Sequence, residues 1–559
     1  ELALEAEPGS WYGRVNLMIA KRAALQWDGF EDAQWGVVRN GPCAENTPAN
    51  ATAYVPLPYE VSLLSVPPQW ALANAICCWA ESLNKERQDT SSALGQIVGN
   101  GDEASPPWDG SIRVGYFSRD FGQHPTGRLT RGLFRFADKN AFKPIALAYA
   151  ENVGTHAITR RFQRDAWAFL DLNNAADDEA ARACSSDLGL HIFVDLMAHT
   201  RGTKRPFLAL KPAPIMVNYL GFPGTSGSPV HDYIVLDAGL LSLEARPSTS
   251  EYILLVPHSY QVNEYSLDVG VSWLAAADWL SCLACSAVAD SEAWGGGDAS
   301  AGHGAKWLRR AASLVAALTR PWPTRWLSWS STAFMFSQAG ASRKIESTDE
   351  AVEEGTRCSG GMDPDVSWPE LTRESWFAPE ILSDTGGVLV EGEAPPPGAF
   401  VFACFNKLDK IEPRVFGVWL SILRRVPGSV LLIKTGPPLP VSEDREKPIQ
   451  RIDVLRAEAA AAGVRPSRIL PIGDRLYEWH MMRHQGIHLF LDTRTYTAHT
   501  TASDSIWSGV PMLSCGGGGF MSGIQSRVSG SIAAVAGLTE LVTHSLRECE
   551  DVAVRIASA

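Results

Sequence analysis

The run Thr497-Ala498-His499-Thr500-Thr501-Ala502-Ser503-Asp504 gathers hydroxyl, imidazole and carboxylate groups into one short segment. Thr500 or Thr501 is placed to cap a helix beginning near Ala502, and the first N–H groups and positive end of such a helix favour a phosphate. The threonine hydroxyls and His499 would add donors to a diphosphate, and Asp504, one turn inside, could accept from a ribose hydroxyl. The same spacing also fits a capped helix behind a polar loop with no ligand.

Lys410 follows an apolar strand pattern and precedes a helix pattern starting at Pro413, the position at which an α/β protein presents groups to a ligand. A fixed cation there would balance negative charge on a departing diphosphate, and Lys407 would make the same mouth more basic. A solvated pair of lysines is the plainer alternative. His124 sits where a polar loop leaves a strand, and its near-neutral pKa suits it to accept a hydroxyl proton or orient a polar substrate; a purely structural imidazole fits equally well. His191 lies in an otherwise apolar strand, so it reads either as a satisfied core histidine or as a cleft-facing group. His199, His258 and His480 stand in more polar surroundings and could line a site.

Two loops carry backbone freedom. Residues 221–227, Gly-Phe-Pro-Gly-Thr-Ser-Gly, have the flexibility that close ligand approach requires, without the pattern of a dinucleotide or Walker loop. Residues 516–519 are a glycine run that reads as a mobile loop, with Arg527 able to return a charge nearby. The 10 cysteines form no regular framework. Cys282 and Cys285 make a single C-x-x-C lacking a second pair or spaced histidine, so buried thiols are expected and no metal is. That usage fits a reducing compartment, cytoplasmic or nuclear.

The elements that must position these residues fall into two blocks. In the first, Ile112, Val114, Tyr116 and Phe117 form a strand, followed by a polar loop and a helix pattern over 129–136. Further strands are expected over 190–194, 215–220 and 233–236. In the second, strands over 400–405, 429–433, 468–471 and 488–491 alternate with helices over 413–426 and 452–462. Strands separated by helices argue for parallel α/β sheets. Ahead of both, helical patterns occupy 15–33 and 61–80, the latter interrupted by Pro67 and Pro68. The domain division expected is a helical connector at 1–108, a first lobe at 109–262, an insertion at 263–394 with helix over 305–318, and a second, truncated lobe at 395–559.

With 45% apolar and 20% charged residues the chain can bury large cores. Its formal charge of −13 opposes a general nucleic-acid or anionic-membrane surface while leaving room for a local basic cleft. The most apolar long stretch, 269–289, is interrupted by Asp278 and reads as a buried helix rather than a membrane span. The first residues show no signal-peptide pattern and look like the edge of a fragment.

Five segments, in order, resemble the catalytic region of the O-GlcNAc transferase and SPINDLY-type family. They are RVGYFSRDFGQHPTG at 113–127, HIFVDLMAHTRG at 191–202, FLALKPAPIMVNYLGFPGTSG at 207–227, FNKLDKIEP at 405–413 and LDTRTYTAHTTASDSIWSGVPML at 491–513. The resemblance implies two Rossmann-like lobes of the GT-B type with an N-terminal helical connector and an inserted region. It implies catalytic-cleft roles for His124 and His191 and an essential role for Lys410 near the diphosphate. It places His499, Thr500 and Thr501 on the diphosphate, Asp504 on the ribose and His480 near uracil.

The implied reaction is inverting transfer of N-acetylglucosamine from UDP-GlcNAc to Ser or Thr of protein acceptors, with no cofactor. GDP-fucose is the alternative donor, and a non-catalytic scaffold the alternative of a different class. Lys407, Asp409 and Tyr477 depart from the family's usual residues: Lys407 stands where glutamine is usual, Asp409 replaces an aromatic, and Tyr477 occupies the approximate place of a nucleotide-contacting lysine. The family's helical repeats and terminal helices are expected to be missing, leaving any oligomer built through those repeats open.

Overall fold

A computed structural model describes residues 61–63, 68–89, 109–122, 124–149, 157–241, 249–265, 395–435, 451–473, 477–515 and 523–558. The expected helices over 15–33 and 305–318, the apolar stretch 269–289, the Cys282–Cys285 pair and the 516–519 loop lie outside these residues.

Helix α1 spans Pro68–Asp89. Residues 61–62 are helical and 63 is a turn, so the helix pattern is broken ahead of Pro68, which opens a new helix because the first helical position needs no N–H. The first lobe follows. Its strands are β1 (Ile112–Ser118), β2 (Phe142–Ala148), β3 (Ala168–Asp171), β4 (Ile192–Asp195), β5 (Ile215–Asn218), β6 (Tyr233–Asp237) and β7 (Tyr252–Val256). Its helices are α2 (Pro125–Arg135), α3 (Ala157–Asp165), α4 (Asp177–Arg182) and α5 (Arg205–Ala209). They build a seven-stranded sheet in the order β3-β2-β1-β4-β5-β6-β7, and each pairing is parallel.

Successive side chains of a strand face opposite sides of the sheet. On β2, Ala146 and Ala148 join a core with Phe134 and Phe162, whereas Ile145 and Leu147 join a second core with Phe193, Phe207 and Trp79 of α1. Burial on both faces explains why these strands read as continuous apolar runs.

The second lobe contains β8 (Val401–Cys404), α6 (Pro413–Arg425), β9 (Val430–Lys434), α7 (Arg451–Ala461), β10 (Ile469–Ile472) and α8 (Tyr477–Arg483). It continues with β11 (Leu489–Leu491), α9 (Thr500–Trp507), β12 (Met512–Cys515), α10 (Val528–Val535), β13 (Val542–Thr543) and α11 (Leu546–Ala557). The parallel sheet runs β10-β9-β8-β11-β12-β13. Phe416, Trp419, Leu420 and Leu423 form the apolar stripe of α6 and are buried against it. The sequence reading does not anticipate β2, β3, β7, β12 or β13.

Buried thiols are found at Cys78, Cys184 and Cys404, but Cys515 and Cys549 form a disulfide that ties the end of β12 to α11. The lobes touch directly: Ile524 and Val528, from the second lobe, enter the first lobe's core, and Ser531 on α10 donates to Asp237 Oδ1 at 2.7 Å. Among the described residues, no helix is long and apolar enough to cross a membrane.

Candidate functional site

Strand order reverses between β1 and β4 in the first sheet and between β8 and β11 in the second. Loops leaving the carboxyl ends of such strand pairs diverge and open a crevice, the usual ligand position in open α/β sheets. The loops after β1, β4, β8 and β11 carry His124, His199, Lys410 and His499 respectively.

Lys410 closes a 3-10 turn, Leu408–Lys410, directly after β8. Its Nζ donates to the Thr497 carbonyl at 2.9 Å and lies 4.1 Å from the centre of the Tyr496 ring. Burial draws its pKa down to about 8; Asp492 and Asp409 oppose that shift, and Lys407 reinforces it. Asp492, which directly follows β11, joins the two loops. It accepts from Asn406 Nδ2 and from the Thr493 and Ala498 N–H groups, each at 2.8 Å.

His499, not a threonine, is the N-cap of α9, and its side chain makes no cap bond. The expected threonine cap is thereby corrected: Thr500 and Thr501 are the first two helical residues, whose amides have no intrahelical acceptor. The His499 ring stacks on Tyr496 at 4.8 Å, with Nε2 3.4 Å from the Gln525 carbonyl. Burial, then the Lys410 charge, holds its pKa well below the ordinary imidazole value, against the Gln525 bond. A neutral imidazole, a helix mouth and an ammonium group thus share one wall, which suits an anion.

Asp504, one turn inside α9, is buried. It accepts from the Tyr265 hydroxyl at 2.7 Å and the Tyr477 hydroxyl at 3.4 Å. Arg483 donates to His480 Nδ1 at 2.6 Å, leaving the ring proton on Nε2, 3.4 Å from Asp504 Oδ2. Burial raises the pKa of Asp504, and the Tyr265 hydrogen bond is the largest opposing influence. Beside it, Gln261 Nε2 donates to Ser503 Oγ at 2.7 Å. Residues just before 266 in the first lobe therefore clasp α9 in the second.

His124 is the N-cap of α2, its Nδ1 accepting from Thr126 N–H at 3.3 Å. Asp120 Oδ2 lies 3.3 Å from the same nitrogen. Both contacts cannot hold in one protonation state, since the cap needs a bare Nδ1 and the carboxylate needs Nδ1–H. Burial lowers the pKa of His124, Asp120 opposes, and Lys407 across the cleft lowers it further. The cap contact corresponds to the neutral form, with its proton on Nε2. Lys407 is exposed.

His191 does not join the cleft. It precedes β4, at the amino end of the strand, where its N–H bonds the Arg113 carbonyl at 3.0 Å and its Nδ1 accepts the Arg113 N–H at 2.9 Å. Its expected active-site role is corrected to a pin between β1 and β4.

His199 is buried behind the cleft wall, 2.6 Å from the Ser226 carbonyl, with its pKa driven down to about 3 by burial. His258 is exposed beyond β7. The 221–227 loop is also reassigned. Its hydroxyls and amide converge on Glu251, with Thr225 Oγ1 and Ser226 N–H both at 2.7 Å. A Cβ at Gly227 would strike the α1 backbone at Ala75 and Ile76, and one at Gly221 would overlap the Leu196 carbonyl. These glycines serve packing rather than ligand approach.

Two parallel sheets flanked by helices, with switch-point loops facing one another, define a GT-B-like two-lobed α/β fold. An O-GlcNAc transferase of Thermobaculum terrenum, solved in a mutant form, shares it with a TM-score of 0.58 at 18% identity, covering 100% of this chain and 78% of that one. The profile of glycosyl transferase family 41 matches residues 101–268 and 393–559, and the chain belongs to that family. A Caenorhabditis elegans relative, UDP-N-acetylglucosamine–peptide N-acetylglucosaminyltransferase, is 27% identical over 473 residues, which are 80% of this chain and 37% of the relative. The chain thus spans little more than a third of that relative's length.

Proposed function

We propose that the cleft binds UDP-GlcNAc and transfers N-acetylglucosamine, with inversion, to Ser or Thr hydroxyls of proteins. The observation that carries this reading is the junction of Lys410 with the loop entering α9: its Nζ donates at 2.9 Å to the carbonyl of Thr497, three residues before Thr500 opens the helix. The substrate in the nematode relative's name supports the choice of donor.

In this reaction the acceptor oxygen bonds to the anomeric carbon while the bond from that carbon to the diphosphate oxygen breaks. UDP leaves with the electron pair. Negative charge grows on the leaving phosphate, where the Lys410 charge and the α9 amides bind it more strongly than in the ground state. Asp504 accepts from the ribose, exchanging its tyrosine donors for ribose hydroxyls, and His480 and His499 line the nucleotide side.

His124, with its proton on Nε2, orients substrate as a donor, and the hydroxyl proton leaves to phosphate or water. Acting as the base would require the other tautomer, with Asp120 receiving Nδ1–H. The test is transfer of radiolabel from UDP-GlcNAc and, separately, GDP-fucose to a mixed Ser/Thr peptide library. Label from UDP-GlcNAc alone supports the proposal, label from GDP-fucose alone replaces the donor, and label from neither defeats the catalytic reading.

A further inference from the structure

The first turns of α2 display two groups toward the second lobe. His124 caps the helix, and Arg128, whose N–H bonds the His124 carbonyl at 3.1 Å, lies one turn further on the same face. The Lys407 charge of the second lobe acts on His124. Arg128 is half-buried, its guanidinium carbon 3.8 Å from the centre of the Tyr477 ring on α8. Together with Asn263, Tyr265 and Thr500 it lines the slit between the lobes at the mouth of α9.

Resting on the donor reading above, we infer that Arg128 is a donor-binding cation contributed by the first lobe, which reaches over Tyr477 to bond the nucleotide diphosphate held at α9. Stacking occupies the flat face of the guanidinium, while its N–H donors radiate in the plane, the geometry that suits paired phosphate oxygens. The aromatic ring fixes the side chain in advance, so less rotamer freedom is lost when the anion arrives. Lys410 and the Thr500 and Thr501 amides approach the same anion from the second lobe. A diphosphate held between them ties the two lobes together, which neither lobe's groups achieve alone.

The test is calorimetric titration of the intact chain and its Arg128→Ala and Arg128→Lys variants with UDP and with uridine, with circular dichroism checking that each is folded. Arg128→Ala is expected to weaken UDP binding about tenfold and leave uridine binding unchanged, and Arg128→Lys, which keeps the charge without the planar pair of donors, to recover only part of the loss. Unchanged UDP affinity in Arg128→Ala overturns the inference. So does an equal loss for UDP and uridine, which marks Arg128 as packing alone, and so does a lysine variant as weak as alanine. If Arg128→Ala fails to fold, Arg128→Gln takes its place in the same comparison. A wild-type chain that does not bind UDP defeats the donor reading itself, and this inference with it.

Discussion

Lys410→Met removes one charge while keeping an unbranched side chain in the space beside Tyr496. The ammonium group sits one hydrogen bond from the loop that enters α9, at 2.9 Å from the Thr497 carbonyl. A phosphate bound there about 4 Å from the ammonium group would interact with it by roughly 4 kcal/mol at an effective dielectric near 20. Loss of a preorganised group facing developing negative charge lowers turnover by about 10²–10³-fold, and kcat/KM for transfer from UDP-GlcNAc to a Ser/Thr peptide should fall by that factor.

The pH profile gives an independent readout. Burial brings the free chain's Lys410 from its usual value of 10.5 down to about 8, and the protonated form is the active one. Activity governed by this group is thus fully present well below pH 8 and is lost as pH rises through it, approaching tenfold per unit. The methionine variant should lack that alkaline limb. A wild-type kcat/KM that stays level to about pH 9.5, or a variant within threefold of wild type, would refute the reasoning.

Three other outcomes follow from the same geometry. Asp504→Ala should weaken UDP and uridine alike, roughly tenfold, because both carry the ribose; titration showing a loss for UDP only would remove Asp504 from the ribose site. Asp492→Ala strands the three donors that meet its carboxylate, and at about 1 kcal/mol for each bond urea unfolding should report roughly 3 kcal/mol less stability. A loss under about 1 kcal/mol would mean that the loops after β8 and β11 hold together without it. Gly221→Ala forces a methyl group into the Leu196 carbonyl, so soluble yield should collapse or stability fall by more than about 3 kcal/mol; a wild-type unfolding midpoint would contradict the packing described.

The strands beside the cleft are legible because burial on both faces makes them uninterrupted apolar runs, each ending in a polar loop. That pattern locates Lys410, His124 and His499 near the carboxyl ends of β8, β1 and β11. It fails for His191, since a histidine beside a strand start looks alike in sequence whether it faces the cleft or the opposite rim; strand order and direction decide.

The cap of α9 is misread for a local reason: three polar residues in succession can each begin a helix, and their backbone angles are not written in their types. The 221–227 glycines suggest ligand approach because the chains they pack against, α1 and the loop after β4, are remote in sequence. Distance along the chain also hides the Tyr265 contact with Asp504, which joins residues 239 positions apart. Asp492 is an unremarked strand-end aspartate until Asn406, from the other loop, is seen to meet it.

The central claim is that a nucleoside diphosphate lies between Lys410 and the start of α9, and a crystal structure of the intact chain soaked with UDP tests it most directly. The account predicts that the β-phosphate lies within hydrogen-bond distance of Lys410 Nζ and the Thr500 and Thr501 amides, with the ribose at Asp504. UDP bound elsewhere, or a cleft left empty at saturating UDP, would contradict it.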